Sequence, residues 1–231
     1  MKIALIGYGK MGKIIEEIAL SRGHEITEKI DINLPGSYDS EGFKAADVVI
    51  EFTAPSVAYD NYMKCFERHK AVVSGTTGWL DKLPKIKEMC ADGKATFFYS
   101  SNFSLGVNIF FEINRQLARL MNKFDAYKPS MTETHHIHKL DAPSGTAKTL
   151  AEDIERFKLQ VSGTKLQVPI ESIREGEVPG IHTVTWDSPV DTISITHSAK
   201  SREGFALGAV LAAEWLKGKT GWHTMEEVLD Y

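Results

Sequence analysis

The sequence predicts an α/β protein in two parts: a parallel-sheet domain over residues 1–103 and an α+β domain over residues 104–215, with the tail 216–231 packing back on the first. Three observations carry this. A strand, a glycine loop and an amphipathic helix follow one another at the N-terminus. Short apolar runs then alternate with helical patterns as far as Tyr99. After Ser104 the pattern changes to long helices and alternating, β-branched stretches.

Lys2 to Ile6 reads as a buried strand, and Met11, Ile14, Ile15, Ile18 and Ala19 recur at helical spacing. Between them lie Gly7, Tyr8, Gly9, Lys10, Met11 and Gly12. Glycine suits such a loop because the chain must turn tightly, bring its backbone close to a pyrophosphate and pack the helix on the strand. The second strand, Glu25 to Ile30, ends in Asp31, where a carboxylate can accept hydrogen bonds from an adenosine ribose. Together these predict a Rossmann-like dinucleotide domain. The Asp31 carboxylate repels a 2′-phosphate, and position 32 is isoleucine rather than arginine, which favours NADH modestly; Lys10 and Lys13 leave NADPH open.

The span from Asp31 to Asp47 is short, so the next crossover is expected to be a loop with little helix. Asp47 to Phe52 is a nearly continuous apolar run, as a buried parallel strand requires, and Pro55 opens a helix marked by Ala58, Tyr62, Cys65 and Phe66. A strand at Lys70 to Ser74, a helix at Leu80 to Met89 and a strand at Ala95 to Tyr99 complete the series. Ligands in such folds sit at the carboxyl ends of the strands. The turns Phe52–Pro55, Gly75–Gly78 and Ser100–Phe103 are therefore expected to line the same crevice as the glycine loop.

In the second part, Ile109, Phe110, Ile113, Leu117, Leu120 and Met121 mark a helix that leads into a strand carrying His135, His136 and His138. Lys139 follows, and Asp141, Pro143, Ser144, Gly145 and Thr146 form a turn opening a helix with Leu150, Ala151, Ile154 and Phe157 on its apolar face. The first N–H groups of that helix, at Gly145 and Thr146, make a seat for a carboxylate or phosphate. Imidazole and ammonium beside an anion seat point to proton transfer on a small anionic substrate. On a strand, His136 and His138 would share one face and His135 the other; Lys139, and the distance of Cys65 and Cys90 in sequence, argue against a metal site, and none is expected. Strand-like stretches at Gln167–Ile173, Ile181–Trp186 and Thr192–His197 predict a mixed or antiparallel sheet with helices on one face, and Gly204–Trp215 a final helix of small residues.

Composition narrows the classes. A net charge of −4 without a basic cluster excludes the footprint of a nucleic-acid binder, so none is expected as a partner. The longest apolar run, Phe205 to Ala213, is too short to span a bilayer, and the N-terminal run leads into the glycine loop rather than a cleavage site; no membrane association and a cytoplasmic location are expected. Two cysteines cannot form a disulfide framework and are expected to pack.

The glycine loop, Phe52-Thr53-Ala54-Pro55, Gly75-Thr76-Thr77-Gly78, Ser101-Asn102-Phe103-Ser104, the Glu133 to Ala147 segment and the pattern Arg174, Gly176, Gly180, His182, His197 together resemble the 4-hydroxy-tetrahydrodipicolinate (dihydrodipicolinate) reductase family nearly end to end. The resemblance implies a substrate and tetramerisation domain in the second part, a homotetramer, and reduction of a cyclic dicarboxylate by NADH or NADPH in diaminopimelate and lysine biosynthesis. It implies His135 as proton donor or acceptor, Lys139 as second proton donor, His136 as a substrate contact, and Gly145 and Thr146 as the cradle of a substrate carboxylate. On the cofactor side it implies Gly7 to Gly12 at the pyrophosphate, Asp31 at the ribose, and Gly75, Thr76, Thr77, Ser100, Ser101, Asn102 and Phe103 around the nicotinamide. The chain departs from the family pattern in a glycine loop one residue shorter, in Lys13 where arginine is frequent, and in Glu51 where aspartate is usual. The alternative is another nicotinamide-dependent reductase or amino-acid dehydrogenase of similar layout.

Overall fold

A computed structural model describes residues 1–163 and 166–229. In chain order the elements are β1 (Lys2–Ile6), α1 (Lys10–Ser21), β2 (Glu25–Ile30), α2 (Glu41–Ala45), β3 (Val48–Glu51), α3 (Pro55–Phe66), β4 (Ala71–Ser74), a 3₁₀ turn (Leu80–Lys82), α4 (Leu83–Ala91), β5 (Thr96–Tyr99), α5 (Leu105–Met121), β6 (Lys128–His135), α6 (Gly145–Ser162), β7 (Ile170–Arg174), β8 (Ile181–Asp187), β9 (Thr192–Ser198), α7 (Glu203–Leu216), β10 (Gly221–His223) and α8 (Met225–Val228). They form two compact units, one of residues 1–105 and 203–229 and one of residues 106–202.

The first unit is built on a six-stranded sheet in the order β10-β5-β4-β3-β1-β2, every pair parallel. Successive side chains on a strand point to opposite faces, and the two apolar layers divide accordingly. Ile3 and Leu5 of β1 join Val48, Ile50, Val73 and Phe98 beneath α1 and α7. Ala4 and Ile6 join Val49, Val72 and Phe97 beneath α2, α3 and α4. Because both faces are covered, the strands read as continuous apolar runs. The crossover after β2 contains one five-residue helix, capped by Ser40, whose Oγ accepts from the Phe43 N–H at 3.0 Å.

The final helix departs from the expected division. Residues 204–215 were predicted within the second domain, yet α7 packs in the first unit against α1, β3 and β4. Its buried face is made of Ala206, Gly208, Ala209, Val210, Ala212 and Ala213. Small residues let it lie close: a Cβ on Gly208 would stand 1.7 Å from the Phe103 carbonyl oxygen. The chain then adds β10 to the sheet edge beside β5, with Trp222 against Phe97. Residues 230–231 of the predicted returning tail lie outside the described residues.

The second unit has a mixed sheet in the order β7-β6-β8-β9, with β6 and β7 parallel and β6, β8 and β9 antiparallel. Met131, Val184 and Trp186 on one face pack with Phe110, Ala118 and Met121 of α5 and Ala147, Leu150, Ala151 and Ile154 of α6. Asn114 and Asn122 donate across to the Leu150 and Ile154 carbonyls, fixing one helix against the other. The opposite face is rich in hydroxyls, with Thr183 on Thr196 and Thr185 on Ser194.

Candidate active site

In the first unit the carboxyl ends of β1, β3 and β4 enclose a cavity of about 350 Å³ lined by Gly9, Lys10, Met11, Phe52, Thr53, Pro55, Gly75, Thr76 and Thr77. The three loop glycines serve different ends. Gly7 has φ +89°, and a Cβ there would stand 2.0 Å from the Phe52 carbonyl oxygen; on Gly12 it would stand 2.3 Å from the Gly7 carbonyl oxygen. These two hold strand, loop and helix together. Gly9 faces open space, and α1 begins beside it with no side-chain cap, so the orphan N–H groups of the helix start are left for an anion. This helix start is where a pyrophosphate could be held.

Asp31 accepts the Tyr8 N–H at 2.8 Å and the Asn33 N–H at 3.1 Å, and these two donors hold its carboxyl below the usual carboxylate range. It is a fixed anion at the end of β2. The Tyr8 side chain turns away to Glu16, under the ammonium of Lys29, which lies 4.6 Å from the ring centre and 2.5 Å from Glu16.

One carboxylate was noted in the sequence only as a departure from the family pattern and given no role. Glu51, the last residue of β3, is fully buried; Ser74 Oγ donates to it at 2.6 Å, Thr76 Oγ1 at 3.0 Å, and Thr53 Oγ1 lies against it. Thr76 Oγ1 also accepts the Thr53 N–H at 2.8 Å. The carboxylate thus pins two loops of the cavity, those after β3 and β4, to each other. Its signal in the sequence was a charged residue inside a run that must be buried on both faces. Gly75 completes the wall, since a Cβ there would meet the Phe52 ring at 2.2 Å.

The turn after β5 is held by its own polar groups. Ser100 Oγ donates to the Asn102 carbonyl at 2.7 Å and accepts the Asn102 N–H, and Asn102 Oδ1 accepts the Ser104 N–H, so Ser100, Ser101 and Asn102 form a self-bonded turn beside β4. Phe103 is not at the surface of the crevice. Its ring is buried against Phe52 and Phe98, where it supports the Phe52 wall from behind.

In the second unit β6 presents Met131, Glu133 and His135 on its buried face by simple alternation. Glu133 is fully buried. Its Oε1 accepts from Arg174 Nη2 at 3.0 Å and from the Ser144 N–H at 3.1 Å, while Oε2 lies 2.9 Å from His135 Nδ1 and 3.8 Å from His182 Nε2. Burial by itself would raise this carboxyl, but the donors from Ser144, Ser172 and Arg174 outweigh it and hold it down at about 2. His182, opposite Glu133 in the antiparallel ladder, is pushed down to about 4 by burial and by neighbouring His135. His135 is also lowered, because burial outweighs the pull of Glu133 and Lys139 and Arg174 add to it. The cluster is therefore one ionised carboxylate with two neutral imidazoles at neutral pH.

Ser144 joins this cluster to the anion seat. Its Oγ lies 3.1 Å from His182 Nε2 and accepts the Ala147 N–H at 3.2 Å, capping α6, whose first two residues are Gly145 and Thr146. Gly145 is exposed with open space around it. Arg174 also donates to the carbonyls of Lys139 and Asp141, clamping the loop between His135 and α6. The Lys139 ammonium is paired with Asp141 at 2.8 Å.

His136 and His138 do not lie on the strand as predicted. β6 ends at His135, where both neighbours run out: β8 begins at Ile181, opposite Thr134, and β7 ends at Arg174, opposite His135; the chain then turns, with the Lys139 N–H on the His136 carbonyl and the Ile137 N–H on that of Gly176. His136 is half-buried in this turn, and His138 is exposed beside Glu177. Glu133, Ser144, Arg174 and His182 were not assigned site functions from the sequence; the two-residue step from Glu133 to His135 on a strand was the available clue. Glu133, His135 and His182 each offer a ligand atom within 4.8 Å of the others, the one such trio among the described residues, but Glu133 is already saturated on one oxygen by Arg174 and Ser144.

The parallel sheet, glycine loop and open helix start, together with a buried acid–imidazole cluster beside a helix N-terminus, define a nicotinamide-dependent oxidoreductase of the two-domain dehydrogenase type. Family comparison narrows this further. Residues 1–103 match the family model of dihydrodipicolinate reductase, N-terminus, and residues 106–229 that of dihydrodipicolinate reductase, C-terminus. The chain belongs to the dihydrodipicolinate reductase family. It is 50% identical to a 4-hydroxy-tetrahydrodipicolinate reductase of Christiangramia forsetii, over 99% of this chain and 98% of that one, and 35% identical to one of Archaeoglobus fulgidus over the whole of both. The fold is shared with a dipicolinate-bound dihydrodipicolinate reductase from Paenisporosarcina sp. TG-14, at 21% identity and a TM-score of 0.77 over 97% of each chain. It is shared more distantly with an aspartate dehydrogenase of Thermotoga maritima, at 13% identity and a TM-score of 0.52 over 95% of this chain and 97% of the other. Among the described residues no helix is long and apolar enough to cross a membrane.

Proposed function

We propose that this chain reduces 4-hydroxy-tetrahydrodipicolinate to tetrahydrodipicolinate with NADH or NADPH, the reaction of diaminopimelate and lysine biosynthesis. The observation that carries the reading is the buried Glu133–His135–His182 cluster joined through Ser144 to the Gly145–Thr146 helix start, in a chain whose two halves match the two parts of one reductase family. The cofactor supplies hydride when bound; Gly9, Lys10 and Met11 would hold its pyrophosphate, Asp31 its ribose, and Thr53, Gly75, Thr76 and Thr77 the wall near its reactive end, with Ser100, Ser101 and Asn102 beside them. His135 exchanges a proton with the substrate and Lys139 supplies a second, with its ammonium released from Asp141 to do so. Gly145 and Thr146 cradle one carboxylate, and His136 contacts the substrate from the turn after β6.

The fixed anion at Asp31 supports a modest preference for NADH, and Lys10 at the cavity wall supports continued use of NADPH. A homotetramer in the cytoplasm is proposed, as membership of this reductase family implies. Single-turnover NADH oxidation tests the catalytic reading. His135→Ala and Lys139→Ala should each slow turnover roughly 100-fold or more while leaving NADH affinity within about twofold. Full turnover in either variant refutes it.

A further inference from the structure

We propose that Glu133 is the positioning residue of His135: it keeps the imidazole proton on Nδ1, so that Nε2 is the nitrogen that exchanges a proton with the substrate. The proposal rests on the reading of His135 as the proton-transfer group and goes beyond it by fixing the tautomer and the reacting atom.

Four observations converge. Glu133 Oε2 and His135 Nδ1 approach to 2.9 Å, both are buried, and neither has an aligned hydrogen bond, to the other or to any further described residue. Buried polar atoms of this kind find partners; the Ser172 hydroxyl is a second donor beside the carboxylate, but for the ring nitrogen the arrangement that pairs it is Nδ1–H donating to the Glu133 oxygen at 2.9 Å. The carboxylate cannot swing away, because its other oxygen is held by Arg174 and by the Ser144 N–H. On the far side of the ring a Cβ on Gly180 would stand 3.1 Å from Nε2 and 3.3 Å from Cδ2, so the glycine spares that edge a crowding methyl group. Nε2 thus has a glycine before it and Nδ1 a fixed anion behind it.

The cycle closes. Neutral His135 carries its proton on Nδ1 and a lone pair on Nε2. Taking a proton at Nε2 gives an imidazolium whose positive charge faces Glu133; giving that proton back from Nε2 restores the starting tautomer. No proton passes to Glu133, whose carboxyl stays ionised throughout. The other groups facing the ring are His182 from β8, Arg174 from β7, and Lys139 and Asp141 from the loop after β6. Among these, His182 is neutral and Arg174 is committed to Glu133 and the Lys139 and Asp141 carbonyls, so Glu133 is the anion in direct contact with the ring.

The test is nitrogen-15 NMR of the histidine rings in the intact wild-type protein at about pH 7.5, with the His135 signals assigned by their disappearance in His135→Asn. The expected result is a neutral ring protonated on Nδ1. A ring protonated on Nε2, or an even mixture of the two, overturns the proposal without requiring any Glu133 variant to fold. In Glu133→Gln, checked for folding by its amide spectrum, the His135 limb of the kcat/KM profile should move to lower pH by about one unit and kcat should fall roughly 100-fold, with NADH affinity unchanged. A Gln variant that loses affinity for the dicarboxylate but keeps the wild-type limb shows Glu133 merely supporting the loop, and also overturns the proposal. Full activity in His135→Ala would sink the catalytic reading instead, whatever tautomer the ring shows.

Discussion

Acid should unfold the second unit through His182. The imidazole is buried and neutral, with its proton affinity pushed down to about 4 from an ordinary value of 6.5. An unfolded chain binds that proton freely near the ordinary value, so the stability tied to a neutral His182 is complete above about pH 6.5. It is lost progressively as pH falls toward about 4. Between about pH 7 and about pH 5 the linkage relation gives a loss of about 2 kcal/mol from this residue alone. His135 and His197 are displaced in the same direction by burial and add to the slope. The perturbation is His182→Gln, which keeps a nitrogen near Ser144 Oγ but cannot titrate. Urea unfolding of both proteins at the two pH values separates the contribution: with a slope of roughly 2 kcal/mol per molar urea, the wild-type midpoint should fall about 1 M further than the variant's on acidification. Parallel pH dependences in the two proteins would refute the reasoning, because they would mean that His182 binds its proton equally well folded and unfolded.

Other outcomes follow from single contacts. Gly7→Ala should destabilise the protein by roughly 3 kcal/mol or more, since its Cβ meets the Phe52 carbonyl in a left-handed backbone, whereas Gly9→Ala should fold normally and lose NADH affinity; thermal melting and cofactor fluorescence titration distinguish them. Glu51→Ala should weaken NADH binding about tenfold or more, measured by the same titration, by freeing Ser74 and Thr76 from a common anchor; unchanged affinity would count against Glu51 as the organiser of that wall. Gly180→Ala places a methyl group against the His135 ring at φ +153° and should lower kcat while leaving the NADH dissociation constant unaltered.

The parts of the fold written as local patterns were legible in the sequence. β1 and β2 fall at the residues read as strands, Lys2–Ile6 and Glu25–Ile30, and the short crossover between Asp31 and Asp47 left room for only one turn and a half of helix. The domain assignment of α7 was not legible, because a row of alanines and glycine says that a helix will be approached closely and not by which sheet. The end of β6 was set by where its neighbours run out, a non-local fact that moved His136 and His138 off the strand. Phe103 read as a site residue because its neighbours did, and its ring turned to the core. Glu51 and Glu133 were hidden for a shared reason: a charged side chain at zero exposure makes sense only once the hydroxyls, amides and guanidinium that satisfy it are assembled from distant segments.

The return of α7 has a consequence for biosynthesis. The layer formed by Leu5, Ile50, Val73, Phe98 and Phe103 is roofed in part by residues that leave the ribosome only after the whole of 106–202 has been made. Until then the nascent nucleotide-binding sheet carries an unroofed apolar strip, the kind of surface that chaperones hold and that aggregates in a chain ending before residue 203.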